Sequence, residues 1–142
     1  MEMNSRTIRV FIYGSLLPAQ HNRHVVDSYV LHTEEGRIAG RLVDFGPYPA
    51  LVRDAIAKRE SSYVIGQWIT VDRNGLAAMD VLEDFIGYEE ENDYDRVWVR
   101  DLDYPDRSGW VYVWANDRDF PPIAAAFWPD FYAAKINRSS LA

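Results

Sequence analysis

The chain contains no cysteine, and that absence removes a disulfide framework, a thiolate nucleophile and every cysteine-based zinc site. Its chemistry must therefore rest on oxygen and nitrogen, and a reducing, cytoplasmic setting is the plain expectation. Long apolar runs are missing as well. No segment approaches the roughly 20 residues a helix needs to cross a bilayer, and the stretch from Met1 to Val10 lacks the basic start and apolar run of a secretion signal. A soluble protein with no membrane partner is expected. Basic charge is scarce: 15 Lys and Arg stand against 22 Asp and Glu, a net charge of -7, with no lysine or arginine cluster. Nothing here would follow a phosphate backbone, so nucleic acid is not expected as a partner. His21 and His24 stand three apart without a third placed ligand, so no metal site is read from them.

What is present suits one compact domain over residues 1–142. Of these residues 48% are hydrophobic and 14% aromatic, enough for a core that needs no staple. A charge of -7 on so small a domain fits a monomer or weak homodimer. Ile8, Val10 and Ile12 alternate with Arg9, Phe11 and Tyr13, the period of a strand, which Gly14 ends. A short helix is expected within 18–29. Strands are read over 36–45, closed by the turn GPYP at 46–49, and over 63–71, closed by the turn DRNG at 72–75. Residues 76–86 carry the one convincing interior helix. Two further strands, 94–102 and 110–115, flank the turn-forming YPDRSG. A terminal helix follows over 128–136, with Pro129 in its first turn. Strands outnumber helices, which points to an α+β fold: a small mixed β-sheet or barrel with a few packed helices.

On the helix LAAMDVLEDFI, successive residues advance about 100°. Met79, Leu82, Phe85 and Ile86 fall on one arc, Asp80 and Asp84 on a polar side, and Glu83 between Met79 and Leu76, inside the apolar stripe. Either Glu83 lines a cavity, where desolvation raises its pKa as a general acid/base requires, or a small rotation leaves it at the edge of the stripe with its head in water.

Three features occur in one order: YGSL at 13–16, MDVLE ending at Glu83, and Tyr94-Asp95-Arg96 followed by VWVRDL. This order resembles the γ-glutamylcyclotransferase-like superfamily, which includes γ-glutamylamine cyclotransferases and AIG2-like proteins. Its pattern is YGSL or YGTL, a middle Tyr-Pro segment, LDxxE, Tyr-x-Arg and a closing strand with a Tyr. Here Tyr48-Pro49-Ala50 matches the middle segment and GWVYVW at 109–114 the closing strand. Met79 stands for the Leu of LDxxE, and the bridge from Glu83 to Tyr94 is longer and more acidic than the family's. A second alignment sets Gly87-Tyr88 in the Gly-Tyr slot and moves the family's acid to Ile86, leaving no carboxylate and favouring a non-catalytic small-ligand-binding protein of the same fold.

The resemblance implies an intramolecular reaction without metal or organic cofactor. The α-amine of a γ-glutamyl amine or amino acid attacks its own γ-carbonyl, closing 5-oxoproline and releasing the attached amine. Glu83 is the implied catalytic base and acid. Gly14, Ser15 and Leu16 are the implied main-chain cradle for the substrate's α-carboxylate, with Tyr13 as a wall and Tyr112 offering its hydroxyl. Without the resemblance, YGSL reads as a strand-to-loop turn in which Ser15 caps a helix. Arg96 reads as the partner of a nearby acid. A rival outside the family, an aromatic-lined sugar- or peptide-binding barrel, is suggested by the tryptophans, but Trp98, Trp110 and Trp114 alternate within strands as core residues do.

Overall fold

The computed structural model describes residues 7–85 and 93–141, the last four of these by backbone alone. Strand β1 (Ile8–Ile12) leads through a loop to a short helix α1 (Arg23–Val26) and a single 3₁₀ turn, Asp27–Tyr29. Strands β2 (His32–Ala39), β3 (Arg41–Phe45) and β4 (Tyr48–Val52) follow, then helix α2 (Ala55–Arg59), β5 (Tyr63–Val71) and helix α3 (Arg73–Leu82). After the bridge to Tyr94 come β6 (Asp95–Arg100), β7 (Ser108–Val113), the two-residue β8 (Pro122–Ile123) and helix α4 (Trp128–Leu141).

The fold is α+β: among the described residues a five-stranded sheet in the order β2-β5-β1-β7-β6 and a three-stranded sheet in the order β4-β3-β8 pack with four helices. β1 lies antiparallel to β5 and parallel to β7, so the larger sheet is mixed. The expected barrel does not form. The two sheets stay unclosed, joined between strands by the isolated parallel bridge Val52–Trp114. The expected single strand over 36–45 is in fact two, broken at Gly40, whose φ of 152° is open to glycine alone among common residues. That bend sends β3 away from β2 to pair with β4 and β8 instead.

Because β1 is central, both of its faces are buried. Val10 and Ile12 join Ile69, Val71, Met79, Tyr112 and Trp114 in one core, whereas Phe11 and Tyr13 join Trp68, Val111, Leu51 and Trp128 in the other. Trp98 departs from the expected core role. It is 55% exposed on edge strand β6 and meets Trp110 edge-on at 5.1 Å.

Helix α3 differs from expectation at both ends. DRNG is its beginning rather than a turn: Asp72 caps it, accepting from the Gly75 N–H at 2.9 Å. It closes at Leu82, because Asp84 adopts the left-handed conformation with φ 54°. The Asp84 N–H then reaches the Val81 carbonyl and the Phe85 N–H reaches that of Asp80, the two reversed bonds of a Schellman stop. Glu83 is thus the C-cap residue, and Ile86, the acid position of the second alignment, lies outside the described residues. Among the described residues no helix is long and apolar enough to cross a membrane.

Candidate active site

A cavity of about 270 Å³ opens where the end of β1, the end of α3 and the start of β6 converge. Tyr13, Gly14, Ser15 and Leu16 form one side, Glu83 another, and Tyr112 also reaches it. Every residue singled out for a site role in the sequence therefore lines this one space.

The loop after β1 is fixed by its own backbone bonds and by Asn22. The Leu17 N–H closes a turn on the Gly14 carbonyl at 3.0 Å, and the Asn22 N–H and side-chain amide take the Ser15 carbonyl at 2.8 Å and hydroxyl at 2.9 Å. Ser15 caps no helix, since α1 begins after Asn22. Among the described residues the N–H groups of Ser15 and Leu16 have no backbone acceptor, which leaves two donors for an anion. Gly14 is required by a close approach: a Cβ there would sit 2.7 Å from Cγ of Pro49, so the loop and the Tyr48-Pro49 segment are pressed together.

Three buried tyrosines frame the acid, and each spends its proton elsewhere. Tyr13 donates to the Tyr112 carbonyl at 2.7 Å and accepts from the Leu51 N–H at 3.2 Å, so it acts as wall and brace. Tyr94 donates to the Pro49 carbonyl at 2.9 Å. Tyr112 donates to Oδ1 of Asp80 at 2.6 Å, and Asp80 is also gripped by Nη1 of Arg96 at 2.6 Å. Asp80, on the polar side of α3, is thus bound by two partners from neighbouring strands, and Arg96 pairs with an acid as expected. Burial, first, pushes all three phenols well above their ordinary pKa and keeps them protonated.

Glu83 is half-buried, and among the described residues its carboxyl makes no hydrogen bond. Desolvation, and then the nearby charge of Asp93, push its pKa up to about 8. The Schellman stop explains the placement. At the C-cap the backbone has left the helical phase, and Glu83 is fixed by its own N–H on Met79 and by its carbonyl, which accepts from the Tyr94 N–H at 3.2 Å.

Asn22, Phe45, Tyr48, Asp93 and Tyr94 also line the cavity and were not singled out from the sequence as site residues. Tyr48 and Tyr94 were within reach of sequence reasoning, since both lie in segments that carried the resemblance. Asn22 carried no local signal. Among the described residues no group of three or more His, Asp or Glu is placed to hold a metal ion, and His21 is exposed, its ring edge-on to Tyr48 at 5.7 Å.

Comparison with known proteins places the chain in a family and matches its fold. The family model for gamma-glutamyl cyclotransferase, AIG2-like, matches residues 10–130. The gamma-L-glutamyl-butirosin B gamma-glutamyl cyclotransferase of Niallia circulans is 32% identical over 90 residues, 62% of this chain and 54% of its own length. The match thus spans about half of that relative. Among solved structures, an AIG2-like protein of Mus musculus superposes with a TM-score of 0.62 at 24% identity, covering 84% of this chain and 88% of that one. YkqA of Bacillus subtilis superposes with a TM-score of 0.69 at 19% identity, covering 92% of this chain and 43% of that one. At these identities the structural likenesses speak for the fold. The chain belongs to the gamma-glutamyl cyclotransferase, AIG2-like family.

Proposed function

We propose that the chain is a γ-glutamyl cyclotransferase that converts a γ-glutamyl amine or amino acid to 5-oxoproline and the free amine, with Glu83 as the proton carrier. The carrying observation is the Glu83 carboxyl, which shares one cavity with the open N–H groups of Ser15 and Leu16 and has no hydrogen-bond partner among the described residues.

In this reading the substrate's α-carboxylate rests on the Ser15 and Leu16 N–H groups beside Gly14, against Tyr13. The α-amine nitrogen then attacks the γ-carbonyl carbon. One C–N bond forms, closing the five-membered ring, and the C–N bond to the leaving amine breaks. The proton released by the attacking nitrogen passes to Glu83 and from Glu83 to the departing nitrogen, so the enzyme ends as it began. The step balances with no further reactant, and ring closure itself supplies the proximity. A free α-amine has a pKa near 8, and Glu83 is raised to about 8. An acid raised that far can both take a proton from the attacking nitrogen and return it to the leaving one near neutral pH. The Tyr112 hydroxyl, its proton committed to Asp80, offers only its oxygen to the substrate.

The test is to incubate the protein with γ-glutamyl-ε-lysine and a set of γ-glutamyl amino acids and primary amines, measuring 5-oxoproline and freed amine together. Equal release of the two from at least one compound is expected. Release of glutamate in place of 5-oxoproline, or no release from any, would contradict the reading.

A further inference from the structure

Asp93 is the one described acid on the cavity wall besides Glu83, and it is held from outside. Arg118, on the loop after β7, donates from Nη1 to its Oδ1 at 3.0 Å and from Nη2 to its main-chain carbonyl. The Asp93 N–H reaches the Asp84 carbonyl at 3.1 Å and the next N–H, of Tyr94, reaches that of Glu83, so the segment is stitched to the end of α3.

The Arg118 loop is fixed more firmly than an exposed ion pair needs. Arg118 and Asp119 both take left-handed backbones, φ 49° and 63°, a conformation that non-glycine residues keep only when their surroundings impose it. Here the Arg118 N–H is bound by the Asn116 side chain at 2.8 Å and the Asp119 N–H by Asp117 at 2.9 Å. Asp117 is itself gripped at 3.0 Å by the buried Arg41. The guanidinium lies 4.0 Å over the Trp114 ring. The side chains of Arg118 and Asp93 are 38% and 46% exposed, and such a pair adds little to stability.

We propose that Arg118 and Asp93 are a positioning pair for Glu83: the guanidinium pins the Asp93 segment to the end of α3 and keeps the Asp93 carboxylate on the cavity wall beside the Glu83 carboxyl. Its consequence for catalysis rests on the reading of Glu83 as proton carrier. A fixed negative charge there keeps the proton on Glu83 to higher pH than burial alone would. Among the described residues, the other titratable or charged groups around Glu83 are Tyr13 from β1, Tyr48 from β4, Tyr112 from β7, Tyr94 before β6, and Asp84 on its own turn. Asp80 and Arg96 stand behind Tyr112, paired with each other. Of these, the three buried phenols are held neutral, and among the described residues Asp93 is the acid that shares the cavity lining with Glu83.

The experiment is a carboxyl ¹³C NMR titration of the whole chain, the Glu83 signal being identified by its loss in E83Q. D93N is expected to lower the Glu83 midpoint by about half a pH unit or more. R118M releases Asp93 and lowers it in the same direction, R118K restores it, and thermal melting changes little in any of them. The rising limb of kcat/KM against pH, on whichever compound is turned over, moves with the midpoint. A midpoint unmoved by D93N, or one that rises or stays fixed in R118M, overturns the pair. If no compound is turned over, the cyclotransferase reading fails separately, and the titration still decides the pair.

Discussion

Glu83 and Asp101 are both carboxyls withdrawn from water, each beside one of the two cores that β1 separates, and the molecule treats them in opposite ways. Asp101 is 3% exposed, and its two oxygens accept from four donors: Trp68 Nε1 at 2.8 Å and the main-chain N–H groups of Asp103, Tyr104 and Arg37 at 2.8, 3.0 and 3.2 Å. Burial opposes its charge, but those bonds outweigh burial and hold it below its ordinary pKa. Glu83 has no such donor among the described residues, and desolvation wins. A buried acid that is fully bonded ties β2, β5 and β6 together, and one left unbonded in a cavity is available to move a proton.

The largest expected effect separates the two directly. E83Q should cut turnover by about a thousandfold while leaving binding of a γ-glutamyl compound within severalfold, read by kcat against calorimetric affinity. D101A should do the reverse. It orphans the buried Trp68 N–H and three part-buried main-chain donors and should cost about 2–4 kcal/mol in urea unfolding, with turnover per folded molecule unchanged.

Smaller effects sharpen the contrast within the cavity itself. G14A forces a Cβ to 2.7 Å from Pro49 and should cost about 1–3 kcal/mol while raising KM, because the loop must move away from the position it holds on the cavity wall. Y112F removes the bond to Asp80 and should cost about 1 kcal/mol of stability, with KM rising severalfold and kcat changing less. A larger fall in kcat than in E83Q would move the proton-carrying role to Tyr112.

Much of this was legible in the sequence. The strands at 8–12 and 63–71 follow their period of two, and YGSL, Tyr48-Pro49, Glu83 and Tyr112, far apart in the chain, meet in one cavity. What escaped was set by backbone geometry that residue type specifies weakly. Gly40 looks like any glycine within a strand, yet its bend divides one expected strand between two sheets. Asp84 stops α3 in a conformation usually reserved for glycine, so the expected helix ran on to 86. Phase put Asp80 on the polar side of the helix but did not name the arginine and the tyrosine from neighbouring strands that reach it there. Helical phase counts residues on one element and cannot see partners on another.

The central claim is that Glu83 holds its proton where an ordinary carboxyl has lost it. The most direct test is unfolding free energy from pH 5 to pH 9 for wild type and E83Q. With a folded pKa of about 8 against an ordinary 4.5 in the unfolded chain, the native protein binds the extra proton across that window. Wild type should therefore lose stability relative to E83Q as pH rises through it. Asp101 has the opposite sign, its contribution being lost only as pH falls through its own depressed pKa, so D101N should run parallel to wild type over the same range. Curves for wild type and E83Q that stay parallel from pH 5 to pH 9 would mean that Glu83 ionises as it would in water, and the account of the site would be wrong.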